Sequence, residues 1–387
     1  MAKYQAPDFF DIDALLSDEE RMVRDAVREW VSDRWIPLVE EAYREGRFPS
    51  EVIPELAELG VLGGNLDYAD FPRMGPVAYG LVMQELERGD SGLRSFVSVQ
   101  GALVMYPIWR YASEAQKERW LPKLHSGEAV GCFGLTEPDH GSDPGGMETK
   151  AVKDGDGYVL NGAKMWITNG NLADVAVVWA KLDGVVHGFV VPTDTPGFQA
   201  VEQRAKHSLR ASVTSELVLQ DVRVDADALM DVQGLGGPLS CLNQARYGIA
   251  WGVVGSAMAV FDEVRSYGLS RTQFDKPIAS FQLYQAKLVE MLSEITKAQL
   301  MNLRLGRMKE NGSLTPYQVS MAKRNACHHA LEIARTGRDM LGANGVASEY
   351  QTMRHMCNLE SVKTYEGTHD IHTLILGREI TGISAFA

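Results

Sequence analysis

The chain has 387 residues, 45% hydrophobic and 23% charged, an ordinary globular composition long enough for two or three structural domains. A formal net charge of −13 argues against a nucleic-acid surface. The longest mostly apolar run, residues 247–261, is too short and Gly-rich to span a bilayer, and residues 1–13 show neither an apolar leader core nor an Arg-rich transit pattern. The chain then reads helical through its first third. Ser17 with Glu20 forms a capping box, after which Met22, Val23, Ala26, Val27, Trp30 and Val31 recur at helical spacing. Further helices are predicted over 49–59, 74–87, 91–111 and 114–123.

The pattern changes near Gly131. Residues 158–160 and 165–167 are strand-like and flank Asn161-Gly162, a pair that predicts a hairpin turn. Strands are also predicted over 175–180, 185–191 and 216–224, the last with a kink at Asp221. Beyond the Gly-rich stretch 234–238 the chain turns helical again. One stripe comprises Leu288, Met291, Leu292, Ile295 and Ala298. A second comprises Val319, Ala322, Ala326, Ala330, Ile333, Gly337 and Met340, whose small residues permit close helix packing. The clearest loop of this part is expected over 307–316. The predicted organisation is an N-terminal α-helical domain (1–130), a middle β domain (131–237) and a C-terminal α-helical bundle (238–387). The four cysteines, Cys132, Cys241, Cys327 and Cys357, include no C-x-x-C pair and read as small buried thiols in a reducing compartment.

Four segments could carry chemistry. Glu366 stands in a short Gly-containing connection between helical patterns, with Thr368 placed to cap the following helix. A short loop between rigid helices can aim a carboxylate, but from Glu-Gly-Thr alone a solvated turn residue is at least as good a reading. The loop 131–144 offers glycines, hydroxyls and amides that can approach phosphates or a ring edge, or can serve only as a connector. Arg271 could hold a pyrophosphate or lie on the surface of a helix–helix turn. Arg94 lies four residues after Asp90, so a local ion pair competes with carboxylate binding, with Ser98 one turn further along. No G-x-G-x-x-G, Walker, H-E-x-x-H or G-x-S-x-G pattern occurs, so nicotinamide, nucleotide-triphosphate, zinc and serine-hydrolase chemistry find no support, and no metal is expected.

Taken together, GCFGLTEPDHGSDP (131–144), KMWITNG (164–170), SLRAS (208–212), CLNQARYGIAWGVVG (241–255), RTQFDKPI (271–278), RDMLGANG (338–345) and TYEGTHDIHTLILGREITGI (364–383) resemble the acyl-CoA dehydrogenase family of flavoproteins, in order and in spacing. Within it they most resemble the branch that oxidises glutaryl-CoA. The resemblance implies a helical domain, a β-barrel-like middle domain and a C-terminal four-helix bundle, usually as a tetramer. It implies FAD as cofactor and Glu366 as the base that removes the α-proton of the thioester while the β-hydrogen leaves as hydride to flavin N5. It implies FAD contacts at Phe133, Leu135, Thr136, Gly141, Ser142, Trp166, Ile167, Thr168, Thr368 and Asp370. Further FAD contacts, across a subunit interface, are implied at Arg271, Gln273, Phe274, Gly342 and Gly345. For acyl-CoA it implies Asn243 and Arg246, and for a distal carboxylate and its loss as CO₂ it implies Glu87, Arg94, Ser98 and Tyr365. Electron-transfer flavoprotein is the implied acceptor, with a cytoplasmic location, or the mitochondrial matrix for a processed eukaryotic chain. Another dehydrogenase or an oxidase for a short, branched or dicarboxylic acyl-CoA is the competing expectation, and a non-catalytic helical assembly protein a more distant one.

Overall fold

The computed structural model describes residues 6–386. Residues 1–5 and 387 lie outside the described residues, and with them part of the stretch read above as lacking a leader. Helix α1 (Asp18–Trp30) starts at the expected capping box: Ser17 Oγ accepts from the Glu20 amide at 3.2 Å, and Glu20 Oε2 accepts from the Ser17 amide at 2.8 Å. A π-helical turn over Val31–Trp35 leads into α2 (Ile36–Glu45), followed by α3 (Ile53–Glu58). Helix α4 (Pro76–Gly89) is buried along nearly its whole length. The single helix expected over 91–111 is three pieces: α5 (Ser91–Ser98), a π-helical stretch (Val99–Met105) and α6 (Tyr106–Tyr111). Helix α7 (Glu114–His125) ends the first helical part.

Eight strands follow: β1 (Gly131–Gly134), β2 (Lys150–Asp154), β3 (Gly157–Thr168), β4 (Val175–Leu182), β5 (Val185–Pro192), β6 (Phe198–Glu202), β7 (Thr214–Val224) and β8 (Leu229–Gln233). They form one sheet in the order β6-β7-β3-β2-β4-β5-β8, with β1 alongside β4 in parallel. The predicted hairpin at Asn161-Gly162 is not a turn. β3 runs through both residues, and the chain reverses earlier, at Gly155-Asp156, where Asp154 pairs with Gly157. Asn161-Gly162 forms a bulge opposite β7 instead. Gly162 takes φ +148°, and a Cβ there would lie 2.5 Å from Thr149 Oγ1. Asn161 bonds across the bulge to Asp221, giving 3.1 Å to its carboxylate and 2.9 Å from its amide. Asp221, the expected kink, has φ +51°.

Helix α8 (Gly236–Ser270) is 35 residues long and packs between α4 and the later helix α10 (Pro316–Met340). A short hairpin of β9 (Thr272–Gln273) and β10 (Lys276–Pro277) leads to α9 (Gln282–Glu310). The loop expected over 307–316 shrinks to residues 311–315, because α9 continues to Glu310 while Arg307 binds Glu20 of α1. The predicted small-residue stripe of α10 is buried throughout. Helices α11 (Thr352–Val362) and α12 (His369–Thr381) close the chain. No helix among the described residues is long and apolar enough to cross a membrane. The close approach of α8 to α4 depends on Gly255, where a Cβ would lie 1.8 Å from the backbone oxygen of Gln84. Gly255→Ala forces the two helices apart and should destabilise the fold by about 2–3 kcal/mol, read as a lowered thermal midpoint; an unchanged midpoint would show that this packing has slack.

Candidate active site

Glu366 lies in the six-residue connection between α11 and α12. Its backbone is left-handed, φ +54°, an uncommon state for a residue with a side chain. Thr368 caps α12 as expected, its Oγ1 accepting from the Ile371 amide at 3.1 Å. The connection is tied down by side chains from two long helices. Arg246 of α8 donates from Nε to the Glu366 carbonyl at 2.8 Å. Lys323 of α10 donates to the carbonyls of Tyr365, Glu366 (3.2 Å) and Gly367 (2.7 Å). One oxygen of the Glu366 carboxylate, Oε2, is buried without a hydrogen-bond partner among the described residues. Burial raises the pKa of this carboxyl above the ordinary range, against the pull of Lys323, Arg94 and Arg246. Glu366 is therefore not a fully solvated turn residue: it is half-buried, one carboxylate oxygen is closed off, and Lys323, Arg94 and Arg246 act on its charge.

The second group is an ion pair in the interior. Arg94 is 1% exposed and Glu87 0%. Arg94 Nε donates to Glu87 Oε2 at 2.6 Å, and Ser91 Oγ donates to Glu87 Oε1 at 2.8 Å. Arg94 Nη2 also donates to the Tyr365 hydroxyl, which stands 3.3 Å from Ser95 Oγ. The local Asp90–Arg94 pair suggested by sequence spacing does not form. Asp90 caps α5 through the Gly92 amide at 2.7 Å, and binds Arg354 at 3.1 Å and Asn358 at 2.9 Å. Facing α8 has no side chain at Gly252, where a Cβ would lie 2.2 Å from Glu87 Oε2 and 3.1 Å from Arg94 Nε. Ser98 is buried with its hydroxyl unpartnered among the described residues, as is the hydroxyl of Tyr79.

A third group lies where β1 and β3 meet. The Met165 amide donates to the Thr136 carbonyl at 2.8 Å, joining the loop 134–143 to the end of β3. Phe133, Leu135 and Ile167 are buried, Thr136 and Thr168 half-buried, and Gly141 and Ser142 exposed. Glu137 and Lys164 anchor the loop from below with a 2.8 Å ion pair. Trp166 breaks the pattern: its side chain is 63% exposed and its φ is +63°. Arg271, Gln273 and Phe274 stand on the exposed hairpin after α8, with Phe274 86% exposed. Gly342 and Gly345 belong to a turn held to the same end of α8 by Asn344, which bonds the Tyr267 hydroxyl at 3.1 Å. Asn243 is half-buried on α8, and Asp370 is exposed at the start of α12.

Residues 17–128, 132–222 and 233–381 match the N-terminal, middle and C-terminal domains of acyl-CoA dehydrogenases. The chain belongs to the acyl-CoA dehydrogenase family. Among curated relatives, the bovine (Bos taurus) mitochondrial short-chain specific acyl-CoA dehydrogenase is 32% identical over 377 residues, covering 93% of this chain and 90% of that protein. Among solved structures, a glutaryl-CoA dehydrogenase from Mycobacterium smegmatis in complex with FADH2 is 51% identical, with a TM-score of 0.96 and 98% of both chains covered. A glutaryl-coenzyme A dehydrogenase in its glutaryl-CoA complex is 32% identical, with a TM-score of 0.90, covering 95% of this chain and 96% of the other. The fold expected from the motifs is thus the fold found, and the chain is an acyl-CoA dehydrogenase whose cofactor is FAD. The residues present fit that cofactor: an exposed indole in a left-handed strand end, beside a loop whose Gly141 has open space where a Cβ would stand, suits a planar ring system carrying phosphates.

Three residues of this site escaped sequence reasoning. Ser95 touches Tyr365, Tyr79 is a buried phenol within the field of both Arg94 and Glu366, and Lys323 holds the Glu366 loop. Lys323 left a trace: it follows Val319 by four residues and precedes Ala326 by three, so a charge sits on the buried stripe. Removing one member of the interior pair leaves the other charge uncompensated. Glu87→Ala should cost about 3–5 kcal/mol in urea unfolding, and combining it with Arg94→Met should recover most of that loss. A Glu87→Ala protein as stable as the parent would mean that the contacts left to Arg94, Tyr365 among them, compensate its charge without Glu87.

Proposed function

We propose that this acyl-CoA dehydrogenase oxidises glutaryl-CoA and decarboxylates the product to crotonyl-CoA. Arg94 carries the reading. A guanidinium kept in the interior by Glu87 and Tyr365 has no use beside a plain alkyl chain, but it complements an acyl chain ending in a carboxylate. FAD, when bound, supplies the acceptor for the β-hydride. Glu366 takes the α-proton, and its burial makes it a stronger base than a surface carboxylate. The backbone amide of Glu366 donates to the thioester oxygen as negative charge develops there. Arg94, with Ser98 at hand, holds the distal carboxylate through oxidation. The bond from that carboxylate to the γ-carbon then breaks, CO₂ leaves, and the electron pair enters a dienolate that recovers a proton from the acid form of Glu366. Asn243 and Arg246 contact the acyl-CoA. Phe133, Leu135, Thr136, Gly141, Ser142, Trp166, Ile167, Thr168, Thr368 and Asp370 hold FAD.

The same proposal divides the chain at residues 130 and 237. It assembles the protein as a homotetramer, so that Arg271, Gln273, Phe274, Gly342 and Gly345 reach the FAD of a neighbouring subunit. It passes electrons to electron-transfer flavoprotein in the cytoplasm, or in the mitochondrial matrix if a longer precursor is processed. The exposed Phe274 supports the shared FAD site. A second reading, an acyl-CoA dehydrogenase or oxidase that leaves the carbon chain intact, is favoured by one observation: Glu87 and Tyr365 already take two donors of Arg94.

Carboxyl-labelled glutaryl-CoA should release labelled CO₂, whereas glutaconyl-CoA as the sole product would remove the decarboxylation step. Glu366→Gln should abolish flavin bleaching by the substrate; an unchanged bleaching rate would remove Glu366 from its role. The sign of the pH dependence follows from the burial of Glu366. Its carboxylate is the active form and burial favours the acid, so kcat/KM should rise with pH through a midpoint above the ~4.3 of a free glutamate. A midpoint at or below that value would contradict the role of burial.

A further inference from the structure

We infer that Lys323 is a positioning residue for Glu366, acting through the backbone of its loop; the inference rests on the reading of Glu366 as the base. Lys323 is 1% exposed, on the stripe of α10 that faces the bundle interior. An ammonium has three donors and no acceptor, and all three are used on consecutive residues: the carbonyls of Tyr365, Glu366 and Gly367. Three successive carbonyls turn toward one point only if the backbone between them is coiled tightly. Here Glu366 has φ +54° and Gly367 φ +92°. A left-handed backbone at a non-glycine residue is strained and persists only where its surroundings hold it. Relaxing Glu366 to an ordinary backbone would swing its side chain and break the set of bonds to Lys323. Arg246 shares the Glu366 carbonyl, but by a single bond, so Lys323 is the larger part of the anchor. No carboxylate bonds Lys323 among the described residues, and burial lowers its pKa to about 8. Its charge is placed where the carbonyl dipoles of one loop are its compensation, an arrangement that a hydrophobic helix position does not otherwise need.

The test compares parent, Lys323→Met and Lys323→Gln as FAD-loaded proteins, by steady-state kinetics with glutaryl-CoA and by backbone hydrogen exchange over residues 364–368. Lys323→Met keeps an unbranched side chain one atom shorter and removes its donors, and Lys323→Gln keeps an amide donor if the methionine variant does not fold. The expected result is a fall in kcat of about 100-fold, the size of loss that a small misplacement of a reacting group produces, with KM within about threefold. Exchange in the loop should be at least about tenfold faster, and Lys323→Gln should lie between parent and Lys323→Met in both measurements. Unchanged exchange, or faster exchange with an unchanged kcat, would overturn the inference. Glu366→Gln separates this failure from that of the base assignment: a Glu366→Gln enzyme that still bleaches removes the base, while the exchange comparison still decides whether Lys323 holds the loop.

Discussion

The interior ion pair between Glu87 and Arg94 is the constraint around which the helical parts of this protein are arranged. Taking two charges out of water is expensive, and the 2.6 Å contact offsets that cost only if the remaining polar atoms are bonded and nothing displaces them. Each neighbouring element meets part of that condition. Helix α5 supplies Ser91 to the free carboxylate oxygen, and the loop before α12 supplies the Tyr365 hydroxyl. Helix α8 supplies an absence of side chain at Gly252, without which the pair and the helix could not share the space. The guanidinium of Arg94 is thereby held in a position that is over-determined.

The same economy governs Glu366. Burial favours its protonated form, while Arg94, Arg246 and Lys323 favour the carboxylate. The two influences oppose each other at one group, and burial prevails, so this carboxyl holds its proton more tightly than a surface glutamate does. All three cations come from rigid helices rather than from the loop itself. The loop is therefore short and held from outside, and the left-handed backbone of Glu366 is imposed by side chains of other elements.

Much of this was legible in the sequence because it depends on local chemistry. The capping box at Ser17, the cap at Thr368 and the small-residue stripe of α10 were all readable from spacing, and so was the order helix, strand, helix. Seven motifs in register identified the family, and the last of them contains Glu366; Arg94 lies outside all seven and was singled out by its own segment, 87–98. What could not be read depends on partners distant in sequence. Asn161-Gly162 can make a turn or a bulge, and Asp221, 60 residues away, decides between them. Asp90 at helical spacing from Arg94 suggested a pair, but Asp90 is drawn to Arg354 and Asn358 of α11, leaving Arg94 to Glu87. Lys323 carries no motif, since its acceptors are backbone carbonyls more than 40 residues later, and a carbonyl leaves no mark in a sequence.

The central claim is that the interior guanidinium of Arg94 selects an acyl chain ending in a carboxylate. The most direct measurement is the ratio of kcat/KM for glutaryl-CoA to that for butyryl-CoA, in the parent enzyme and in Arg94→Met. A hydrogen-bonded charge pair in a desolvated pocket should favour glutaryl-CoA by about 30-fold or more, and Arg94→Met should bring the ratio close to one. Butyryl-CoA turned over as well as glutaryl-CoA by the parent, or a ratio that survives the loss of Arg94, would contradict the account.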